Sequence, residues 1–192
     1  MNIAILYGGV STEHKISIQT GLAVAEAIKG AYNLDMVNLE KEIYQSPHNL
    51  LDADLVFNAL HGGDGENGTI QKHLEKNNIL FTGSGSIACS KAMNKSITKD
   101  ICIKNNIPVP KGVIVNQNNK SVDDFNIISE FVVLKPIDEG SSADLYIIPN
   151  FSSSLDEKIN YMLSKYDSFI LEEYIPGREL TVAILNGEAL PV

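Results

Sequence analysis

The sequence predicts an α/β protein that opens with a parallel sheet and continues into a smaller unit of short strands and helices. Three observations carry this. Apolar runs of strand length alternate with helix-spaced segments over about the first 85–90 residues. A stretch rich in Gly and Ser, Thr82–Ser90, interrupts the alternation. Beyond it the pattern changes to short strands, and the last run meets Asn186-Gly187, a pair that favours a type I′ hairpin turn.

In chain order, Ile3–Tyr7 is an apolar run that stops at Gly8-Gly9 and suits a buried parallel strand. Ser17 is placed to cap a helix beginning near Ile18, with Leu22, Ala25 and Ile28 at helical spacing and Gly30 at its end. Leu34–Leu39 and Asp54–Leu60 read as the second and third strands. Ile70 and Leu74 mark a helix, and Ile79–Phe81 reads as a short fourth strand. Right-handed crossovers then connect parallel strands. After the Gly/Ser break come a polar helix from Lys95 to about Asn105 and the punctuating Pro108 and Pro110. Strands follow at Gly112–Val115, Phe131–Lys135, Leu145–Ile148 and Phe169–Glu172, with a helix near Ser154–Leu163 among them and a final run at Leu180–Leu185.

Composition narrows the function. A chain of 192 residues suits one large domain or two small ones. It buries roughly 70% of its unfolded surface without needing a disulfide. A net charge of −9 argues against a nucleic-acid partner, because phosphate-backbone binding requires clustered Lys and Arg. Cys89 and Cys102 match no zinc or redox spacing and read as buried thiols in a reducing compartment. The start "MNIAILYGG" lacks a basic n-region and a cleavage site, and no apolar run approaches the roughly 18 residues of a membrane span. The expectation is a cytoplasmic protein without a membrane segment.

Three loops are equipped for chemistry. In "YGGVSTEHKIS" a strand feeds a Gly-Gly turn and then a helix, the place where open parallel sheets bind ligands. Glu13 there is suited to pair with an ammonium group, although a solvated Glu13 on a plain strand-to-helix turn is the simpler reading. The loop does not fit G-x-G-x-x-G. In "HGGDGENG", four glycines in eight residues allow close approach to the backbone, and His61 sits at a strand end. A lone histidine is more often structural. In "LKPIDEGSS", Lys135 ends a strand and faces Gly140, Ser141 and Ser142, whose amides and hydroxyls suit an anion. This is not a Walker A loop, and a lysine beside a hairpin loop remains the alternative. Further on, Glu172 and Glu179 stand seven residues apart around "EEYIPGRE", suited to an amino group or a ribose hydroxyl, or simply solvated.

Taken in order, "GGVSTEHKIS", "HGGDGENGTIQ", "AMNKSITK", "LKPIDEGSS" and "EEYIPGRELTVAIL" resemble the D-alanine–D-alanine ligases of the ATP-grasp superfamily over nearly the whole chain. The resemblance implies a preATP-grasp, Rossmann-like domain at 1–88, holding the first D-alanine. It implies a central ATP-grasp subdomain at 89–192, holding the phosphate lid and adenine site. The implied activity is ATP-dependent ligation of two D-alanines through an acylphosphate, for peptidoglycan precursors. Glu13 would hold the first D-alanine's ammonium, with His61 and Glu66 beside it. Lys95 and Lys135 would contact phosphates. Glu139, Gly140, Ser141 and Ser142 would form the closing loop, with Ser141 also bonding toward Glu13. Glu172 and the backbone near Tyr174 and Ile175 would read adenine, and Glu179 the ribose.

The resemblance also implies ATP and magnesium or manganese as cofactors, with metal ligands in a third domain that this chain lacks, and a homodimer formed through the first domain. The 192 residues would then be a fragment or a natural truncation, inactive alone. A degenerate binding module and another ATP-grasp carboxylate–amine ligase are the alternatives. One departure concerns the lid. The family usually continues Val-Gly-Val where this chain has Ala143-Asp144-Leu145, which sets an acid near the triphosphate.

Overall fold

The computed structural model describes residues 1–39, 50, 52–119 and 129–192. The first sheet contains β1 (Asn2–Gly8), β2 (Asn33–Leu39) and β3 (Leu55–Asn58). Its order is β2-β1-β3 and both pairings are parallel, with Ile3 opposite Leu34 on one side and Leu55 on the other. A central strand buried on both faces must be apolar throughout, and Ile3, Ala4, Ile5 and Leu6 are all buried. Ala4 and Leu6 point to one layer with Ile70 and Leu74; Ile3 and Ile5 point to the other with Val24, Ala25 and Ile28.

Helix α1 (His14–Ile28) begins four residues earlier than the sequence suggests. Glu13 is its N-cap residue, and Ser17 N–H donates to Glu13 O at 3.0 Å. Ser17 is no cap: its buried hydroxyl donates to Ala59 O at 2.8 Å and ties the helix to the loop after β3. The stripe facing β1 accordingly runs through Ser17, Gly21, Val24 and Ile28, whereas Leu22 is 55% exposed. The expected strand at 79–81 is reduced to one parallel bridge, Val56 with Phe81.

Helices α2 (Thr69–Lys76), α3 (Ser86–Met93) and α4 (Lys95–Lys104) follow. The Gly/Ser stretch thus holds most of helix α3 where its composition predicts a break. Asn94 caps α4, accepting from Ile97 N–H at 3.0 Å.

The second sheet contains β4 (Gly112–Asn116), β5 (Phe131–Pro136), β6 (Tyr146–Pro149) and β7 (Ser168–Glu173). It is antiparallel, in the order β4-β7-β5-β6, and α5 (Ser153–Lys165) packs on one face. Strand alternation decides what faces the helix. Val132, Leu134, Phe169 and Leu171 join Leu155, Ile159 and Met162 in the core, so the alternate residues Lys135 and Glu172 fall on the opposite face. Gly112 lies opposite Glu172, where a Cβ would stand 2.5 Å from the Glu172 Cβ. The Asn186-Gly187 turn joins β8 (Ile184–Leu185) and β9 (Glu188–Ala189), with φ 52° and 84° at the two turn residues, as a type I′ turn requires. Cys89 and Cys102 are free and half-buried, not buried.

Candidate functional site

Two loops at the carboxyl ends of β1 and β3 are laced together by hydroxyl groups. Ser11 Oγ donates to His61 O at 2.6 Å and accepts from Glu13 N–H at 3.1 Å. Thr20 Oγ1 and His61 Nε2 are 2.9 Å apart, and His61 Nδ1 lies 4.0 Å from Glu66 Oε1. Gly62 has φ 66°, and a Cβ there would come within 2.5 Å of Glu13 Oε2. Glycine at 62 therefore lets the Glu13 carboxylate lie against the second loop. A cavity of about 170 Å³, lined by Gly9, Ser11, Leu60, His61 and Gly62, opens beside it.

The second sheet supplies the cations. Lys135 on β5 pairs with Glu172 Oε1, and Lys99 on α4 reaches Glu172 Oε2 at 2.6 Å. Glu172 is 3% exposed, so two ammonium groups share one buried carboxylate. Lys95 opens α4. Its backbone N–H donates to Ile137 O at 2.9 Å, and its ammonium donates to Glu139 O. Burial holds the Lys95 ammonium below the usual lysine range, and the neighbouring Lys135 charge lowers it further. An anion bound between these two lysines would relieve that repulsion.

The loop after β5 bridges the two regions. Ser141 Oγ donates to Glu13 Oε1 at 2.5 Å, across 128 residues of sequence. Gly140 and Ser142 flank it; Ala143 N–H closes on Gly140 O at 2.9 Å, and Ser141 and Ser142 are left-handed at φ 48° and 59°. A cleft of about 460 Å³ runs from Glu66 past Cys89 and Met93 to Lys95 and Glu139. Glu66, Lys95 and Glu139 thus line one cleft, the Ser141–Glu13 bond ties the 139–142 loop to the first loop, and Lys135 pairs with Glu172 on the second sheet. Tyr174 packs edge-on to Phe131 with ring centres 6.4 Å apart, and its N–H donates to Phe131 O. Ile175 and Glu179 lie further along the same segment and are exposed.

Sequence reasoning passed over Ser11, Thr20 and Lys99. Lys99 was the most visible of them, since it stands one turn after Lys95 and repeats its charge on the same side of α4.

Known proteins match this arrangement. The family model described as D-ala D-ala ligase N-terminus matches residues 39–84. A D-alanine–D-alanine ligase of Pelagibacter ubique is 41% identical over 98% of the chain and 62% of its own length. The one of Aquifex aeolicus is 39% identical over 100% of the chain and 65% of its own length. Over its whole length the chain is similar to D-alanine–D-alanine ligases. A crystal structure of the Bacillus anthracis D-alanine–D-alanine ligase superposes with a TM-score of 0.90 at 29% identity, covering 100% of this chain and 63% of that one. The same enzyme complexed with ATP gives 0.86 at 28% identity, covering 100% and 64%. The chain thus spans under two thirds of the length of these ligases.

Asp144 does not stand as a free charge. It accepts from Lys165 Nζ at 2.6 Å, Tyr166 OH at 2.6 Å and Tyr146 OH at 2.8 Å. The bond from Lys165 and those from the two phenols hold its carboxyl well below the usual range. The negative charge expected of Asp144 in this loop is therefore met locally. The same bonds push both phenols up to about 12. Tyr146 and Tyr166 should stay protonated at about pH 11, where an ordinary phenol of pKa ≈ 10 is mostly ionised. Their stabilisation is complete below the ordinary value and is lost as pH rises through 12. Ultraviolet titration should show Tyr146 and Tyr166 ionising late, and in Asp144→Asn that late step should move toward the ordinary phenol value.

Proposed function

We propose that this chain holds ATP and one D-alanine in the cleft between its sheets, as part of a D-alanine–D-alanine ligase. Glu13 takes the amino acid's ammonium, with His61 and Glu66 beside it. Lys95 and Lys135 hold the phosphates, and residues 139–142 close over them. Glu172, the backbone at Tyr174 and Ile175, and Glu179 hold the nucleoside. The γ-phosphoryl group passes to the D-alanine carboxylate and ADP leaves. The amine of a second D-alanine then attacks the acyl carbon, losing a proton and expelling phosphate. Such transfer relies on positioning and charge stabilisation, so lysines and a water-excluding lid are the equipment it needs.

The observation that carries the reading is the bond from Ser141 to Glu13, which makes the phosphate loop and the amino-acid loop two walls of one site. Among the described residues no group of three or more His, Cys, Asp or Glu side chains is placed to hold a metal ion. Use of the dipeptide for peptidoglycan, a cytoplasmic location, pairing of two copies through the first sheet's region and a division of the chain near residue 88 go with this reading. The described helices include none long and apolar enough to cross a membrane.

Calorimetric titration tests the proposal. ATP and D-alanine should each bind this chain, and saturation with one should tighten the other severalfold. L-alanine should have no such effect. Independent binding of the two, or equal response to L-alanine, would overturn the shared-site reading. Mass analysis of the same mixture checks the accompanying expectation that these 192 residues alone form no dipeptide.

A further inference from the structure

The loop between β5 and β6 ends in a cluster that the phosphate chemistry does not use. Asp144 is its centre. Tyr146 opens β6, Lys165 closes α5 and Tyr166 follows it, so one carboxylate gathers three donors from two elements. Its two oxygens divide the work: Oδ1 accepts from Tyr146, and Oδ2 accepts from Lys165 and Tyr166. A neutral amide has only one acceptor oxygen and cannot satisfy all three. The surroundings stiffen the anchor. Lys158 Nζ lies 3.8 Å from the centre of the Tyr146 ring and 4.6 Å from that of Tyr161. Asp144 itself sits at φ 48°, closing a run in which Ser141 and Ser142 are also left-handed. Asp and Asn adopt that conformation more readily than most residues.

At its other root the loop is stitched to α4, through Lys95 and the carbonyls of Ile137 and Glu139. Only the short turn at 140–143 lies between the two anchors. We propose that Asp144 is a positioning residue, fixing the outgoing root of the loop to α5 so that residues 140–142 stand ready over the cleft before any ligand arrives. The argument rests on the reading of this loop as the phosphate lid. A loop ordered in advance loses less conformational freedom when it closes on a ligand, so the anchor strengthens ATP binding without touching ATP.

The test uses this chain with Asp144→Asn, Lys165→Met and the double variant. Asn fits the left-handed backbone and the volume, and either single change breaks the same ion pair. Hydrogen exchange without ligand should quicken at residues 140–145 in both single variants by about tenfold, the weight of one charge-assisted bond, and the double variant should add little. Exchange in β5 and α5 should stay unchanged. ATP affinity should fall by a similar factor, alongside whatever melting temperature is lost with the bonds to Asp144. A merely structural role would lower the melting temperature and leave ATP affinity alone. Unchanged exchange at 140–145, or acceleration spread through β5 and α5, would overturn the anchor. If the parent chain binds no ATP, the lid reading fails, and the exchange result still decides whether Asp144 fixes the loop.

Discussion

Replacing Lys135 by Met should weaken ATP binding by about 10- to 100-fold while leaving the fold and D-alanine binding close to the parent. The range follows from a charge-assisted hydrogen bond to phosphate, worth about 1.5–3 kcal/mol, at about 1.4 kcal/mol per tenfold. The fold should survive because Glu172 keeps a partner. Its carboxylate is bridged by both Lys99 and Lys135, so losing one ammonium leaves the other at 2.6 Å and no buried charge unpaired. The Met side chain also retains the apolar stem that crosses the sheet face. The reverse experiment is harsher, since Glu172→Ala leaves two lysines facing each other with no anion. The measurement is ATP titration beside a melting curve and a D-alanine titration. Parent-like ATP affinity in Lys135→Met would show that the lysine serves the sheet and not the nucleotide.

That dual pairing shows where the sequence runs out. Lys135 and Glu172 are each legible as strand-end charges. Their meeting depends on β5 lying beside β7, a non-local arrangement that no run of residues announces. The parallel strands were legible because burial on both faces demands continuous apolar runs, as at Ile3–Leu6. The start of α1 was not. Ser17 has the chemistry of a cap, but its hydroxyl is committed to Ala59 O, in a loop 42 residues away. Helix α3 escaped notice because its small residues, Ser86, Ala88 and Ser90, lie in a stretch that also contains turn-forming glycines. In sequence Asp144 looks like one charge too many, because the composition of a loop does not reveal Lys165, 21 residues on. The Glu13–Ser141 bond spans 128 residues, and in sequence only the family resemblance implies it.

Glu13→Gln separates the two jobs proposed for that carboxylate. Glutamine keeps the length of the side chain, and its carbonyl oxygen can still accept from Ser141 Oγ, so the bridge between the loops persists. What disappears is the charge that would meet an ammonium group, and D-alanine affinity should fall by about 10- to 100-fold. ATP affinity measured alone should change by less than about threefold, because the groups proposed to meet the phosphates are lysines and loop amides on the other wall. Ser141→Ala does the opposite. It leaves the carboxylate charged and in place, so D-alanine alone should bind nearly as in the parent. The mutual tightening of ATP and D-alanine should shrink by about 2- to 10-fold, the worth of one ordinary hydrogen bond. The two variants together therefore distinguish an acid that anchors the amino acid from one that only fastens the loop. If Glu13→Gln binds D-alanine like the parent while Ser141→Ala loses coupling, the acid is a latch, and the ammonium contact must be sought elsewhere around His61 and Glu66.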